Sequence, residues 1–226
     1  MTRFSTALTC AAIVCAAPAA AATPREMLTH AAFLTTDKES ALAEVKQAIA
    51  AAEAQLAASP SNYEAQMQRA VGIGYRAKLT RNAGDAKTSH KLFEALASAN
   101  PRDPEVQMLL AGWHLDAISD IGPLLAGTVL GAKKGNGTAA LDRAVAMGRE
   151  RAFFPGIAAL MHIRLEPHDV AGARALAESA LAADAATPLD RIARRAAEAI
   201  LIPLRNGDGK AAQGLAKKLL PFGRVS

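Results

Sequence analysis

The chain has 226 residues, of which 51% are hydrophobic, 21% charged and only 4% aromatic, and its formal net charge is +5. Acidic and basic residues are interspersed, with neither a concentrated basic face nor a series of aromatic residues for base stacking, which excludes the usual pattern of nucleic-acid-binding proteins. The length is enough for one sizeable core or one short repeat array.

The N-terminus has the three parts of a secretory signal peptide. Arg3 supplies the positive charge, Phe4 to Ala17 form a short apolar run, and Ala20 and Ala22 provide the small-x-small pattern of a cleavage site. The apolar run is shorter than the roughly 20 residues that a membrane span needs. The sequence therefore predicts a signal peptide over residues 1–22 and a periplasmic or secreted protein with no transmembrane segment after cleavage.

Both cysteines of the chain, Cys10 and Cys15, lie inside the predicted signal peptide. Neither has a leucine three residues before it, so the lipobox of an acylated protein is missing. The mature chain is then free of cysteine, which leaves it without disulfides and without thiolate chemistry.

The rest of the chain has the composition and periodicity of helices. Ala, Leu, Glu, Lys, Gln and Arg dominate, and apolar residues recur at spacings of three and four rather than two. Pro and Gly divide the chain into helix-sized pieces. The pattern predicts a single all-α domain over residues 23–226, with helices near 25–34, 38–58, 62–81, 85–99, 104–121, 137–149, 154–165, 169–183, 188–205 and 209–220.

Three segments share one plan, in which a turn ending in Asp precedes a helix with small or apolar residues at spacings of four and three. The segments are NAGDAKTSHKLFEALASANPRDPEV, EPHDVAGARALAESALAADAATP and NGDGKAAQGLAKKLLPFG. In the middle segment the small residues are Ala173, Ala177 and Ala180. Small side chains allow two helices to approach closely, and helix pairs that cannot bury their apolar faces alone must stack on their neighbours.

Between residues 62 and 220 the chain resembles the tetratricopeptide repeat (TPR) family. The residues that match its turn, helix and proline positions are Gly84, Asp85, Phe93, Pro101, Leu110, Ala111, Ala173, Ala177, Ala180, Gly207, Asp208 and Ala212. No single repeat has the full set, and Thr80, His114 and Arg164 stand where the family often has Tyr. The resemblance implies antiparallel helix pairs stacked as a short right-handed solenoid whose concave groove binds a peptide or a partner protein. A generic helical bundle is the alternative.

The candidate partner-binding residues come from the family pattern and from the unusual stretch around the single tryptophan. They are Lys78, Arg81, Asn82, Met108, Trp113, Asp116, His162, Glu166 and Arg205. The stretch ISDIGPLLAGTVLGAKKG, near residues 118–136, interrupts the repeat register and is predicted to be an insertion. We expect Leu124, Leu125, Val129 and Leu130 to form a short packed helix that covers the groove or one end of the array.

Other interpretations of the insertion compete with packing. Its apolar part is too short to span a membrane, but it could insert shallowly, with Lys133 and Lys134 against anionic headgroups. Its glycines and lysines do not have the spacing of a P-loop, and no strand precedes them. Asp116 and Asp120, with His114 beside them, could hold a divalent cation, although ion pairs and helix caps explain both carboxylates better.

The sequence gives no pattern for catalysis. The mature chain has no Cys, no Gly-x-Ser-x-Gly motif and no pair of histidines at metal-binding spacing. His162 and Glu166 have the spacing of an acid/base couple but also that of an ordinary exposed helix pair. We therefore predict no enzyme activity, no cofactor and no metal.

Two functions follow from the sequence. The first is a scaffold in the cell envelope that binds a protein or peptide partner in the concave groove. The second is an accessory carrier that binds a small or apolar ligand in a groove lined by Met108, Trp113, Leu124, Leu125 and Phe154.

Overall fold

A computed structural model of the protein describes residues 21–226. Most of the predicted signal peptide, including Cys10 and Cys15, lies outside these residues. Within them the chain is all-helical and has no β-strand. The helices are α1 Pro24–Phe33, α2 Lys38–Ala58, α3 Tyr63–Thr80, α4 Ala83–Ala99, α5 Pro104–Ile121, α6 Pro123–Leu125, α7 Lys134–Gly148, α8 Phe153–Leu165, α9 Val170–Ala182, α10 Pro188–Arg205 and α11 Gly209–Leu219, with a π-helical turn at Ala126–Leu130.

The prediction of an all-α chain is confirmed, and most helix bounds agree to within a few residues. The turn residues explain this agreement, because most helices begin at a side chain that accepts a hydrogen bond from the first turn. These N-caps are Thr23, Asp37, Asn62, Asn82, Asp103, Thr187, Asp169 and Asp208. The insertion differs from its prediction: α5 continues to Ile121 and α7 starts at Lys134, which leaves only residues 122–133 between them.

Helices that follow one another in the chain pack against one another, and α5 packs on α7 across the insertion. Contacts also join α1 to α3, α5 to α8, and α8 to both α10 and α11. One continuous core runs from Leu28 to Phe222. The small residues that the sequence pattern placed at helix contacts, Ala173, Ala177 and Ala180, are fully buried.

Helices α8 and α10 approach each other closely at a glycine. A Cβ atom added to Gly156 would lie 2.9 Å from the carbonyl oxygen of Ala193 and 3.1 Å from its Cβ. Backbone atoms cannot move aside as a flexible side chain can, so only glycine allows this spacing. The contact fixes the distance between the two helices.

A chain of ion pairs joins the N-terminal ends of α1, α3, α5 and α10. The guanidinium of Arg25 lies 2.7 Å from Glu64 and 2.8 Å from Glu105, and that of Arg151, just before α8, lies 2.9 Å from Glu105 and 3.3 Å from Asp190. The N-terminal ends of these four helices therefore lie together, as they do in helices that run parallel to one another.

The last residues of the chain pack against its first helices. The backbone N–H of Phe222 donates to the carbonyl of Ala32 at 2.7 Å, and that of Ser226 donates to Thr36 at 3.1 Å. The Phe222 ring is nearly buried and meets the ring of Tyr75 edge-on at 4.9 Å. Phe222 has a φ of 61°, which is strained for an aromatic residue, so these contacts must hold it in place. The C-terminal segment thus covers the end of α1 and reaches α3.

The close approach at Gly156 predicts a stability difference between two Gly→Ala substitutions. Gly156→Ala should lower the free energy of unfolding by roughly 1–3 kcal/mol, because its methyl group overpacks the contact with α10. Gly214→Ala, in the open face of α11 where an added Cβ meets nothing within 4 Å, should raise it by roughly 0.5–1 kcal/mol through helix propensity. Urea unfolding followed by circular dichroism measures both. Equal effects of the two substitutions would contradict the packing described.

Candidate partner-binding surface

Four charged side chains join the C-terminal ends of α3, α5 and α8. Asp116 accepts a hydrogen bond from the ammonium of Lys78 at 2.7 Å and one from the guanidinium of Arg164 at 3.0 Å. Asp120 also pairs with Arg164, and it lies 3.9 Å from Lys78. We call these four residues the charged cluster. Its two cations and two anions balance, so it has no excess attraction for ions of either sign.

The charged cluster is partly buried and partly open to solvent. The Arg164 side chain is only 10% exposed, whereas that of Asp120 is 38% exposed. Burial, together with the charge of Asp116, raises the pKa of the Tyr75 hydroxyl well above its usual range, so this phenol stays neutral. The cluster therefore holds three helices in register from the inside and presents a carboxylate on the outside.

Of the nine candidate partner-binding residues, Lys78 and Asp116 meet in the charged cluster. Arg81 and Arg205 lie exposed at the C-terminal ends of α3 and α10. Asn82 is also exposed, but its side chain caps α4 by accepting from the N–H of Asp85 at 2.9 Å. Four of these five residues thus lie near the C-terminal ends of their helices.

The other candidates have different surroundings. Met108 is 4% exposed and belongs to the core, so it offers little surface to a partner. His162 binds Asp169 at 2.7 Å rather than Glu166, which pairs with Lys134 instead. The carboxylate of Asp169 also caps α9 at Gly172, and these two hydrogen bonds lower its pKa. The spacing of His162 and Glu166 thus does not give a couple, because both side chains bind other partners.

Arg164, which holds both carboxylates of the charged cluster, was not among the candidate residues. In the sequence this residue stands out only as a departure from the Tyr that the TPR family often has at this position. Opposite charges near the C-terminal ends of α3, α5 and α8, namely Lys78, Asp116 and Arg164, are the signal that could have identified it. These ion pairs join residues that are 38 and 48 positions apart in sequence, so no local sequence pattern predicts them.

Beneath the insertion lies an aromatic cluster of His90, Trp113 and His114. The indole of Trp113 stacks on His90 with ring centroids 3.9 Å apart and donates to the carbonyl of Ala86 at 2.8 Å. His114 is buried, and its Nδ1 accepts the backbone N–H of Lys133 at 3.3 Å. Burial first, and the neighbouring His90 second, lower the pKa of His114 to about 4. The imidazole that anchors the insertion is therefore neutral at pH 7.

Asp116, Asp120 and His114, the residues considered for a cation site, do not form one. Asp116 and Asp120 face Lys78 and Arg164, and Nδ1 of His114 is taken by a backbone N–H. Over residues 21–226, no group of three or more His, Cys, Asp or Glu side chains has the arrangement that could hold a metal ion.

The expectation that the insertion packs its large apolar side chains is wrong for Leu124, Leu125 and Val129, whereas Leu130 is half-buried. Leu124 is 77% exposed, Leu125 55%, Val129 44% and the preceding Ile121 43%. Only small side chains of the insertion, at Ala126 and Ala132, are buried, against Ile118. We call Ile121, Leu124, Leu125 and Val129 the apolar tip.

The five residues expected to line a carrier groove do not face a common space. Met108 and Phe154 lie in the core, whereas Leu124 and Leu125 face solvent. A cleft of about 210 Å³ exists elsewhere, beside Arg25, Glu105 and Arg151. These charges pair with one another, as described above for the N-terminal ends of the helices. In the part of the chain that the structure describes, no helix is both long enough and apolar enough to cross a membrane.

The lowered pKa of His114 predicts a loss of stability in acid. Between its ordinary value of 6.5 and about 4, the unfolded chain binds a proton that the folded chain does not, so stability falls as the pH falls. From pH 7 to pH 5 the loss should be about 2 kcal/mol.

His114→Asn keeps an acceptor for the Lys133 N–H, because the Asn Oδ1 stands where Nδ1 does, but it does not titrate. Its unfolding free energy should therefore depend less on pH by about that amount. His168→Asn, at an exposed site, should retain the wild-type dependence. Urea unfolding at pH 7, 6 and 5 compares the three proteins. A wild-type dependence of the unfolding free energy on pH in His114→Asn would show that this imidazole is not the titrating group.

Comparison of the chain with protein-family models, with curated proteins and with solved structures finds no match.

Proposed function

We propose that the chain is an exported, non-catalytic scaffold that binds a protein partner on the face formed by the C-terminal ends of α3, α5, α8 and α10. The observation that carries this proposal is the charged cluster, which links three of these helix ends and remains partly open to solvent. A surface held this rigidly loses little conformational entropy when a partner binds.

The packing of successive helices supports a short TPR-like solenoid as the architecture. The ion pairs at the N-terminal ends and the charged cluster at the C-terminal ends both fit parallel first helices, which is what stacked helix pairs produce. Among the candidate groove residues Met108 is buried and closed to a partner, whereas Arg81 and Arg205 are exposed at helix ends. We call the face formed by the C-terminal ends of α3, α5, α8 and α10 the rim. Binding at the rim rather than in the groove is the form of the family function that fits these contacts.

Exposed arginines make the rim suited to a protein. Arg81 ends α3 in a left-handed conformation, with a φ of 56°, and Arg205 ends α10. Arginine is enriched in protein interfaces because its guanidinium offers several N–H donors on a flat, weakly hydrated group. Together with the exposed carboxylate of Asp120, these residues give the mixed charge of an interface rim. A partner of complementary mixed charge fits this face better than a nucleic acid does.

Charge reversal at the rim tests the partner. Arg81→Glu with Arg205→Glu should reduce capture of a crosslinked envelope protein by tenfold or more, since each exposed guanidinium is replaced by a repelling carboxylate. Lys46→Glu with Lys91→Glu, exposed on α2 and α4, is the matched control and should capture as wild type does. Crosslinking in cells followed by quantitative mass spectrometry gives the yields. Equal capture by both double variants would reject the rim as the contact surface.

Export predicts a mature chain that begins at Thr23. The N–H of Thr23 donates to the carboxylate of Glu26 at 2.8 Å, and the hydrogen bonds to Thr23 hold the Glu26 pKa below its usual range. Cleavage before Thr23 would leave the cap of α1 intact and convert this N–H into an ammonium, which strengthens the contact. Intact-mass measurement of protein recovered from the extracytoplasmic fraction should give Thr23 to Ser226. Recovery only from the cytoplasm, with residues 1–22 retained, would refute export.

A further inference from the structure

The apolar tip is an exposed hydrophobic protrusion that the proposed rim does not use. Four large apolar side chains are 43–77% exposed within nine residues of sequence. Leu34, Met147 and Ile202 are the other large apolar side chains of residues 21–226 with comparable exposure, and they lie on separate elements. Clustered exposure of this kind marks a contact surface, whereas single exposed apolar residues are ordinary.

The backbone of the tip satisfies many of its own polar groups. Its hydrogen bonds run from the Ala126 N–H to Gly122, from the Gly131 N–H to Gly127, from the Ala132 N–H to Ala126, each at 3.0 Å, and from the Thr128 hydroxyl to Leu124 at 3.0 Å. A hydrocarbon environment has no donors or acceptors for unpaired peptide groups. A π-helical turn that pairs these groups internally can leave water at a much lower cost than an open loop can.

The ionisable residues of the insertion itself all have one sign, while Asp120, just before the tip, is paired with Arg164. From Ile121 to Leu141 the ionisable residues are Lys133 and Lys134, with no Asp or Glu. Lys134 pairs with Glu166, while the exposed Lys133 stands directly after the buried Ala132 and is fixed through its backbone N–H on His114. An apolar tip with a lysine at its base is complementary to an anionic lipid headgroup above a hydrocarbon layer.

We infer that the apolar tip docks into the interface of an anionic lipid bilayer, with Ile121, Leu124, Leu125 and Val129 among the acyl chains and Lys133 at the headgroups. A stable protein interface needs roughly 800 Å² on each partner, and a two-turn protrusion with four side chains offers little of that area. Shallow insertion needs only such a short apolar segment with its backbone paired. The attachment is peripheral and depends on both the apolar side chains and the cation.

Vesicle binding by the chain from Thr23 to Ser226 tests this inference. That chain contains every helix and cap and the whole core of the described structure, and it excludes the apolar run at Phe4 to Ala17. We expect it to sediment with phosphatidylglycerol vesicles at low ionic strength and much less with phosphatidylcholine vesicles. Leu124→Ser with Leu125→Ser should weaken binding about tenfold or more, since two buried leucines are lost. Lys133→Gln should weaken it severalfold and reduce its sensitivity to salt.

The matched control is Leu34→Ser with Ile202→Ser, because these exposed apolar residues lie on other surfaces. It should bind vesicles as the unsubstituted chain does, and far-ultraviolet circular dichroism confirms that each variant is folded. No sedimentation with anionic vesicles, or equal losses in the tip and control variants, would overturn the inference. A tip variant that retains vesicle binding but loses a crosslinked protein would replace the lipid with a protein contact. The rim variants Arg81→Glu and Arg205→Glu leave the tip intact, so the two proposals fail independently.

Discussion

Close approach of helices through small side chains is the constraint on which the structure depends. With 4% aromatic residues, the chain cannot fill wide gaps between helices with large rings, so the helices must come together at alanine and glycine. Gly156 lies against the backbone of Ala193 between α8 and α10, and Ala173 and Ala177 are fully buried on α9. Close spacing also brings charged side chains on different helices within reach of one another near the helix ends.

The same close packing buries the large apolar side chains between the helices. Met108 and Leu201 are buried, and Phe222 adds its ring beside Tyr75, so these side chains contribute to stability. Ion pairs between helices form near both helix ends, at Arg25, Glu105 and Arg151 and in the charged cluster. The charged cluster is the product of this arrangement, since each ion pair that forms between partly exposed residues adds only modestly to stability but specifies which ends lie together.

Local chemistry made the helices predictable, and long-range contacts limited the prediction of the site. N-caps such as Asn82 and Asp208 and the small residues of α9 act within a few residues of sequence, which is why the bounds of the helices could be placed. The pairing of Arg164 with Asp116, and of Phe222 with α1, joins residues far apart in sequence with no periodic signal. The insertion shows the same limit: hydrophobicity predicts burial, but of its apolar side chains only those of Ala126 and Ala132 are buried.

The order of residues at the end of α5 connects the charged cluster with the apolar tip. Asp120 binds Arg164, and the next residue, Ile121, is the first of the tip, so no flexible linker separates the two surfaces. The insertion is also fixed at its far end, where the Lys133 N–H binds the neutral imidazole of His114. A tip held at both ends cannot move independently of α5. If it sits in a bilayer, the charged rim lies at the membrane surface, and the partner that binds there must itself be at or close to the membrane.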